Sequence, residues 1–321
     1  MSLTQEEIIY LKDKLKRQPN DIELSIVQAE WSEHCSYKSS KPYIKLLPTE
    51  GKRVIIGPGH DAGVLDLGDG YVVTVHIESH NHPSVVEPYG GAATGVGGVI
   101  RDILSMGTRP IAIFDALRFG NIKKSNHAKW LFKHVVRGIA DYGNCLGIPT
   151  IAGEVEFDNS FEHYCLVDVA SIGIGKKEDI VTSHADNEDF VVLVGGSTGR
   201  DGIHGASFAS KALEEENRAA VQIPDPFLEK LLIEATIEAI NAKCVKAVKD
   251  LGGGGLSCCL SETADKIGKG IEVDISKVHV REEGMTDAEL LNSESQERML
   301  YIVDKPNMKQ LFSIFNKYEI N

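Results

Sequence analysis

The sequence predicts an α/β chain built from two α/β units, and three observations carry that prediction. Runs with strand character alternate with stretches at helical spacing throughout the chain. A polar stretch, GKKEDIVTSHADNED at 175–189, separates an earlier set of such elements from a later set. Glycine-rich turns repeatedly join a strand-like run to a helix, at 195–205 and 250–257. With 321 residues, 42% hydrophobic and 25% charged, the chain has the composition of a globular protein of two ordinary domains.

In order, residues 4–33 read as helical. Thr4 and Glu7 form a capping-box pattern, and Ile8, Leu11 and Leu15 follow at helical spacing. A turn at Gln18-Pro19-Asn20 leads to a second helix capped by Asn20 or Asp21. Residues 53–57 and 71–77 read as strands, 95–106 as a helix, 110–115 as a strand and 127–146 as a helix ending at Gly147. Strands are expected at 150–156 and 163–173. Beyond the polar stretch come a strand at FVVLVGG, helices at 226–241 and 256–267, strands at 271–275 and 298–303, and a C-terminal helix. The expected division is a helical extension (1–33), a first α/β unit (34–175) and a second (176–321). The last elements break off abruptly, so a second unit cut short is expected.

Net charge is −13, which argues against a nucleic-acid backbone as the main partner but leaves room for a small anion. No apolar run reaches membrane-span length, so no membrane partner is expected. Six cysteines include no Cys-x-x-Cys, and reduced thiols in the cytoplasm are expected.

The stretch HIESHNHPS at 76–84 places three histidines around one glutamate. Extending 71–82 as a strand puts Val73, Val75 and Ile77 on one face, expected to enter a core. Thr74, His76, Glu78, His80 and His82 fall on the other. Such a set at a strand end suits a transition metal held by His and carboxylate, or a Glu78-bound Mg²⁺ with a neighbouring histidine for acid–base work. The spacing is not HExxH. GGAATGVGGVIRD (90–102) reads as a small-residue loop opening a helix whose free N–H groups face an anion. Arg101-Asp102 lies inside this helix, where a charged pair costs energy unless used. Asp250 stands at a strand-to-loop junction suited to Mg²⁺. Together these features favour an anion with Mg²⁺ over zinc.

The motifs HCSYK (34–38), ESHNHPS (78–84), GVGGVIRDILSMG (95–107), GRDGIHGASFAS (199–210), VQIPDP (221–226), DLGGGGLS (250–257) and ESQERM (294–299) closely resemble the phosphoribosylformylglycinamidine synthase family, in its multi-subunit form. The resemblance implies a fold similar to aminoimidazole ribonucleotide synthetase: an N-terminal half-barrel domain whose sheet pairs with another copy, then a C-terminal α/β domain. It also implies ATP- and Mg²⁺-dependent conversion of formylglycinamide ribonucleotide and ammonia to formylglycinamidine ribonucleotide. The ammonia would come from a separate glutaminase subunit, with a small bridging subunit. By the same resemblance, His34 is an active-site histidine, His80 the proton acceptor, and Tyr37 and His76 face the nucleotide. Glu78, Asp102 and Asp250 hold Mg²⁺. Ser79, Asn81, His82, Arg101, Gln222, Glu294, Ser295 and Gln296 contact substrate. His76 stands where family members commonly have Lys. The rival readings are a different ATP-dependent enzyme of the superfamily, and a half that binds nucleotide without turnover.

Overall fold

The computed structural model describes residues 3–203, 205–209 and 220–321. His204 and Ser210 of the GRDGIHGASFAS stretch lie outside the described residues.

The chain opens with α1 (Gln5–Leu15) and α2 (Asp21–Glu30), each starting in a capping box, Thr4 with Glu7 and Asn20 with Glu23. Two single-turn helices follow, α3 (Glu33–Ser36) and α4 (Lys41–Ile44). The first sheet then begins with β1 (Val54–Ile56), β2 (Gly63–Gly68) and β3 (Tyr71–Ser79). After β3 come α5 (Asn81–Val86), α6 (Pro88–Ser105), β4 (Arg109–Phe119), α7 (Asn126–Leu146), β5 (Thr150–Phe157) and β6 (Cys165–Lys176). The six strands lie in the order β1-β2-β3-β6-β4-β5, antiparallel except for the β4–β5 pair. The later elements are β7 (Phe190–Gly195), α8 (Gly205–Ala209), α9 (Pro226–Asn241), β8 (Ala247–Asp250), α10 (Gly255–Ile267), α11 (Asp287–Asn292), β9 (Arg298–Val303) and α12 (Met308–Lys317). They form a three-stranded antiparallel sheet with β9 in the middle.

Helices α6 and α7 cover one face of the large sheet. Val99, Ile100 and Leu104 of α6 and Leu131, Val135 and Ile139 of α7 pack on Ile113, Leu117 and Phe119 of β4. The same apolar cluster continues into α9, β9 and α12 through Leu232, Tyr301 and Phe315, so one core runs through both sheets' helical layers. At its margin Arg109 of β4 forms a fork with Glu234 of α9, at 2.9 and 2.8 Å. On the far side, Ile22 and Ile26 of α2 pack with Leu256, Cys259 and Leu291. This docking holds α3, next in the chain, over the start of α10. Among the described residues no helix is long and apolar enough to cross a membrane.

Three expectations change. In β3 the covered face is Val72 and Thr74, both 0% exposed, followed by His76 and Glu78, which lie under α6. Val75 and Ile77 are 41% and 65% exposed on the opposite face. Periodicity shows which residues share a face but not which face meets the helices. The strand also stops at Ser79, and 81–86 form α5. Second, α6 starts at Pro88, so the glycine and alanine run lies within the helix and is no anion-facing loop. Pro88 occupies the first turn, where its missing N–H costs nothing, and the Glu87 side chain caps Gly90. Small residues there serve close packing: a Cβ on Gly91 would sit 2.5 Å from the Pro83 carbonyl carbon. Third, no strand forms at 271–275; that segment is irregular up to a short turn at Ile275–Lys277.

Candidate functional site

A cavity of about 600 Å³ opens between the end of β3, α3, α6 and the segments around 222, 250 and 294. That is within the range of nucleotide-sized sites. Of the residues expected from sequence, His34, Tyr37, His76, Glu78, Ser79, His80, Asn81, His82, Arg101, Asp102, Gln222, Asp250, Glu294 and Gln296 line it. Residues more than two hundred positions apart in the chain thus share one wall.

The acidic part is built by β3, α6 and β8. His76 Nε2 lies 3.0 Å from Asp102 Oδ2 and 3.9 Å from Glu78 Oε2. Helix α6 can approach β3 this closely because Gly98 faces Glu78; a Cβ there would lie 2.6 Å from Glu78 Oε1. Two overlapping groups, His76–Glu78–Asp102 and Asp61–Asp102–Asp250, each bring their donor atoms within 4.8 Å of one another. Burial pushes the Asp102 carboxyl well above its usual range, and the charges of Asp250 and Asp61 push it further. Carboxylates crowded in this way are a fit for a hard divalent cation, which takes oxygen ligands and relieves their repulsion. Lys249 partly balances the cluster, at 2.7 Å from Asp61 Oδ1 and 3.5 Å from Asp250 Oδ1, and Lys266 reaches Asp61 at 3.2 Å. Asp61 and Lys249 were missed in the sequence. Asp61 sits in an ordinary-looking Gly-His-Asp-Ala-Gly turn, and only the fold shows that it is buried.

The imidazole of His80 is fixed from one side. Its Nε2 lies 3.3 Å from Gln222 Oε1 and 3.0 Å from Thr94 Oγ1. The Gln222 amide nitrogen donates to Glu294 Oε2 at 2.8 Å, which leaves the amide oxygen to accept from His80. The Thr94 hydroxyl donates to backbone carbonyls one turn back. This network assigns the proton to Nε2 and leaves Nδ1, 3.8 Å from Glu78 Oε1, as the basic nitrogen. Burial lowers the pKa of His80, so its neutral form is favoured. Glu294 is itself buried, which raises its carboxyl to about 7; backbone N–H groups of Gly254 and Ala206 donate to its other oxygen. His34 projects into the lumen beside Gly253, and the surrounding protein lowers its pKa by desolvation. His82 Nδ1 lies 2.9 Å from the Tyr164 hydroxyl, and Asn81 accepts from the Val167 N–H at 2.7 Å.

Two expected substrate contacts are placed differently. Arg101 is 0% exposed; its guanidinium donates to Gln296 at 2.6 Å and to Glu229 at 3.3 Å. At the cavity wall it is committed to a buried ion pair with Glu229 and a hydrogen bond to Gln296. Ser295 is buried behind the wall, where its hydroxyl meets Asp201 and the Gly199 N–H. Glu294 and Gln296 line the cavity, whereas Ser295, between them in the segment that leads into β9, does not.

Comparison with known proteins agrees with this architecture. Residues 59–175 match the AIR synthase related protein N-terminal domain, and 187–321 match the C-terminal domain of the same description. Residues 1–38 match the formylglycinamide ribonucleotide amidotransferase linker domain. The phosphoribosylformylglycinamidine synthase subunit PurL of Thermococcus sibiricus is 55% identical over 97% of this chain and 44% of its own length. That of Methanobrevibacter smithii is 50% identical over 100% of this chain and 45% of its own. The chain therefore spans about half the length of the curated relatives it matches. Thermotoga maritima PurL solved with FGAR superimposes with a TM-score of 0.89 at 42% identity, covering 99% of this chain and 51% of that one. The same protein solved with ATP gives 0.83 at 38%, covering 99% and 50%. The chain belongs to the PurL family of phosphoribosylformylglycinamidine synthase subunits, built from AIR synthase related domains.

Proposed function

We propose that this chain carries a site for ATP- and Mg²⁺-dependent amidation of formylglycinamide ribonucleotide, a ligase reaction of purine biosynthesis in the cytoplasm. The observation that supports this most is the juxtaposition of His80, held through Nε2, with the Glu78–Asp102–Asp250 carboxylates in one nucleotide-sized cavity. Relatives of this chain have been solved with FGAR and with ATP.

An amide oxygen is a poor leaving group. Its attack on the γ-phosphorus of ATP, with the amide N–H proton passing to a base, gives an imino phosphate and ADP. Ammonia then adds to the carbon, and phosphate departs with one of the ammonia protons as hydrogen phosphate, leaving the amidine. Glu78, Asp102 and Asp250 would hold Mg²⁺, which neutralises triphosphate charge when bound. His80 takes the proton at Nδ1, because Nε2 is engaged by Gln222 and Thr94. His34 assists at the same wall, Tyr37 and His76 border the nucleotide, and Ser79, Asn81, His82, Gln222, Glu294 and Gln296 position the ribonucleotide. The proposed division is a helical extension over 1–33 and units over 34–175 and 176–321.

The partners that complete the reaction are a glutaminase subunit as ammonia source and a small bridging subunit. A solved assembly, PurLQS of Thermotoga maritima, contains a relative of this chain. The bare face of the large sheet, with Val75 and Ile77 exposed, fits a second sheet of the same kind. A second copy of this chain supplies one and forms a homodimer. The second reading is a site that binds nucleotide or substrate without turnover.

ADP release is measured with the ribonucleotide amide, ATP, Mg²⁺ and ammonium chloride, omitting each in turn. Release that requires all four supports the ligase reading. Calorimetric binding of substrate without release selects the binding half, and neither binding nor release overturns both.

A further inference from the structure

Cys35 and Cys258 lie 223 residues apart in sequence, yet their Sγ atoms are 3.6 Å apart in the cavity wall. Cys35 belongs to the single turn α3, next to His34. Cys258 stands in the first turn of α10, just past the glycines at 252–254. The Cys258 thiol points back over Gly254, where any Cβ would collide with its sulfur. It donates to the Cys35 sulfur. The two thiols differ in access: Cys35 is half-buried, whereas Cys258 is 4% exposed. The remaining cysteines are placed otherwise. Cys145 is exposed on α7, Cys165 and Cys244 are in the main core, and Cys259 packs with Leu251 and Leu256.

We propose that Cys35 and Cys258 are a thiol-oxidation site that a low-molecular-weight disulfide closes reversibly. The Cys35 thiolate attacks one sulfur of the reagent, forming a mixed disulfide and expelling one thiolate. Cys258, deprotonated, then attacks the Cys35 sulfur, forming the intramolecular bond and expelling the second. The protein dithiol is oxidised by two electrons, the reagent disulfide is reduced to two thiols, and the two protein protons pass to them. The accessible sulfur meets the reagent and the buried one resolves the adduct, the division of labour that their exposures dictate. Closure brings the sulfurs from 3.6 Å to about 2.05 Å. The movable partner is α3, a four-residue turn. The bond would tether the His34–Tyr37 segment to the glycine loop after Asp250. In a reducing compartment the pair stays as thiols until such a reagent accumulates. The proposal stands whatever ligand the cavity takes.

The full chain is treated with oxidised glutathione, remaining thiols are alkylated, and peptides are mapped by mass spectrometry without reduction. The expected product is a Cys35–Cys258 cross-linked peptide that dithiothreitol removes, with the loss of two free thiols. Cys258→Ser should instead retain glutathione on Cys35, and Cys259→Ser should cross-link as the unaltered chain does. Glutathione persisting on Cys35 in the unaltered chain overturns the proposal. So does a bond from Cys35 to another cysteine, or an unmodified Cys35 while Cys145 reacts. If Cys258→Ser does not fold, the map of the unaltered chain decides alone.

Discussion

The Gln222 amide donates to the Glu294 carboxylate at 2.8 Å, and this contact decides which way the amide faces. With its nitrogen spent on Glu294, only its oxygen remains for His80. Replacing Glu294 with Ala frees the amide to rotate and removes the acceptor of the Gly254 and Ala206 N–H groups. We expect a loss of about 2 kcal/mol in unfolding free energy, about 1 kcal/mol for each orphaned backbone donor. We also expect a mixed His80 tautomer. Urea denaturation measures the first and nitrogen-15 NMR of labelled histidine the second; an unchanged Nε2–H signal would show that Gln222 does not need Glu294.

Two glycines of α6 should respond in opposite ways to the same change. At Gly98 the three atoms nearest to a methyl all belong to the carboxylate end of the Glu78 side chain, which can swing aside. Gly98→Ala should therefore keep or gain stability, up to about 1 kcal/mol from helix propensity, while weakening divalent-cation binding. At Gly91 the methyl meets the backbone of Pro83 and Ser84. Gly91→Ala should lose about 1–3 kcal/mol from overpacking. Thermal unfolding and Mg²⁺ titration of both variants give the comparison; equal destabilisation of the two would contradict this difference in packing.

Asp102 is raised by burial and then by its carboxylate neighbours, so it opposes folding when no cation is bound. Asp102→Asn should stabilise the metal-free chain at neutral pH, since a carboxyl held above its unfolded value opposes folding wherever the unfolded chain would ionise it. It should also abolish stabilisation by Mg²⁺. Melting curves with and without Mg²⁺ test both signs at once.

Glu234 behaves in the opposite sense. Its hydrogen bonds and charge contact with Arg109, against some burial, hold its carboxyl at about 2 compared with 4.5 for the free group. Its stabilisation is complete above about pH 4.5 and is lost as pH falls towards about 2. The pair is partly exposed, so its worth is about 1 kcal/mol despite the forked geometry. Denaturation of the unaltered chain and Glu234→Gln at pH 7 and pH 2.5 should show a gap that narrows at the lower pH.

His76 faces the carboxylates of Asp102 and Glu78 at the cavity edge. Burial works against the His76 charge, but Glu78, Asp250 and Asp61 outweigh it and raise the imidazole; a lysine holds its charge to still higher pH. His76→Lys should tighten ATP binding several-fold at pH 8 by calorimetry; equal or weaker affinity would count against nucleotide contact at this position.

Helix boundaries set by side-chain caps were legible in the sequence. Thr4, Asn20 and Gly147 mark ends that the structure reproduces, because those signals are local. The start of α6 was not, since a run of glycine and alanine lacks helical contrast until neighbours pack against it. Nor was the covered face of β3, because Val75 and Ile77 are as apolar as a core requires. Within the cavity, the motif histidines and Glu78 announced themselves by clustering. Asp61 and Thr94 did not, as each looks like ordinary turn or helix chemistry until β3 and α6 meet.

The cavity wall draws on residues near positions 34, 78, 102, 222, 250 and 294. During synthesis, then, no ligand can template its own pocket. Until Glu294 and Gln296 have left the ribosome, Gln222 has no anchor and Arg101 lacks one of its two partners. The nascent chain carries Glu78 and Asp102 in water until Asp250 and Glu294 have been made, so the charged centre is assembled only after both units have emerged.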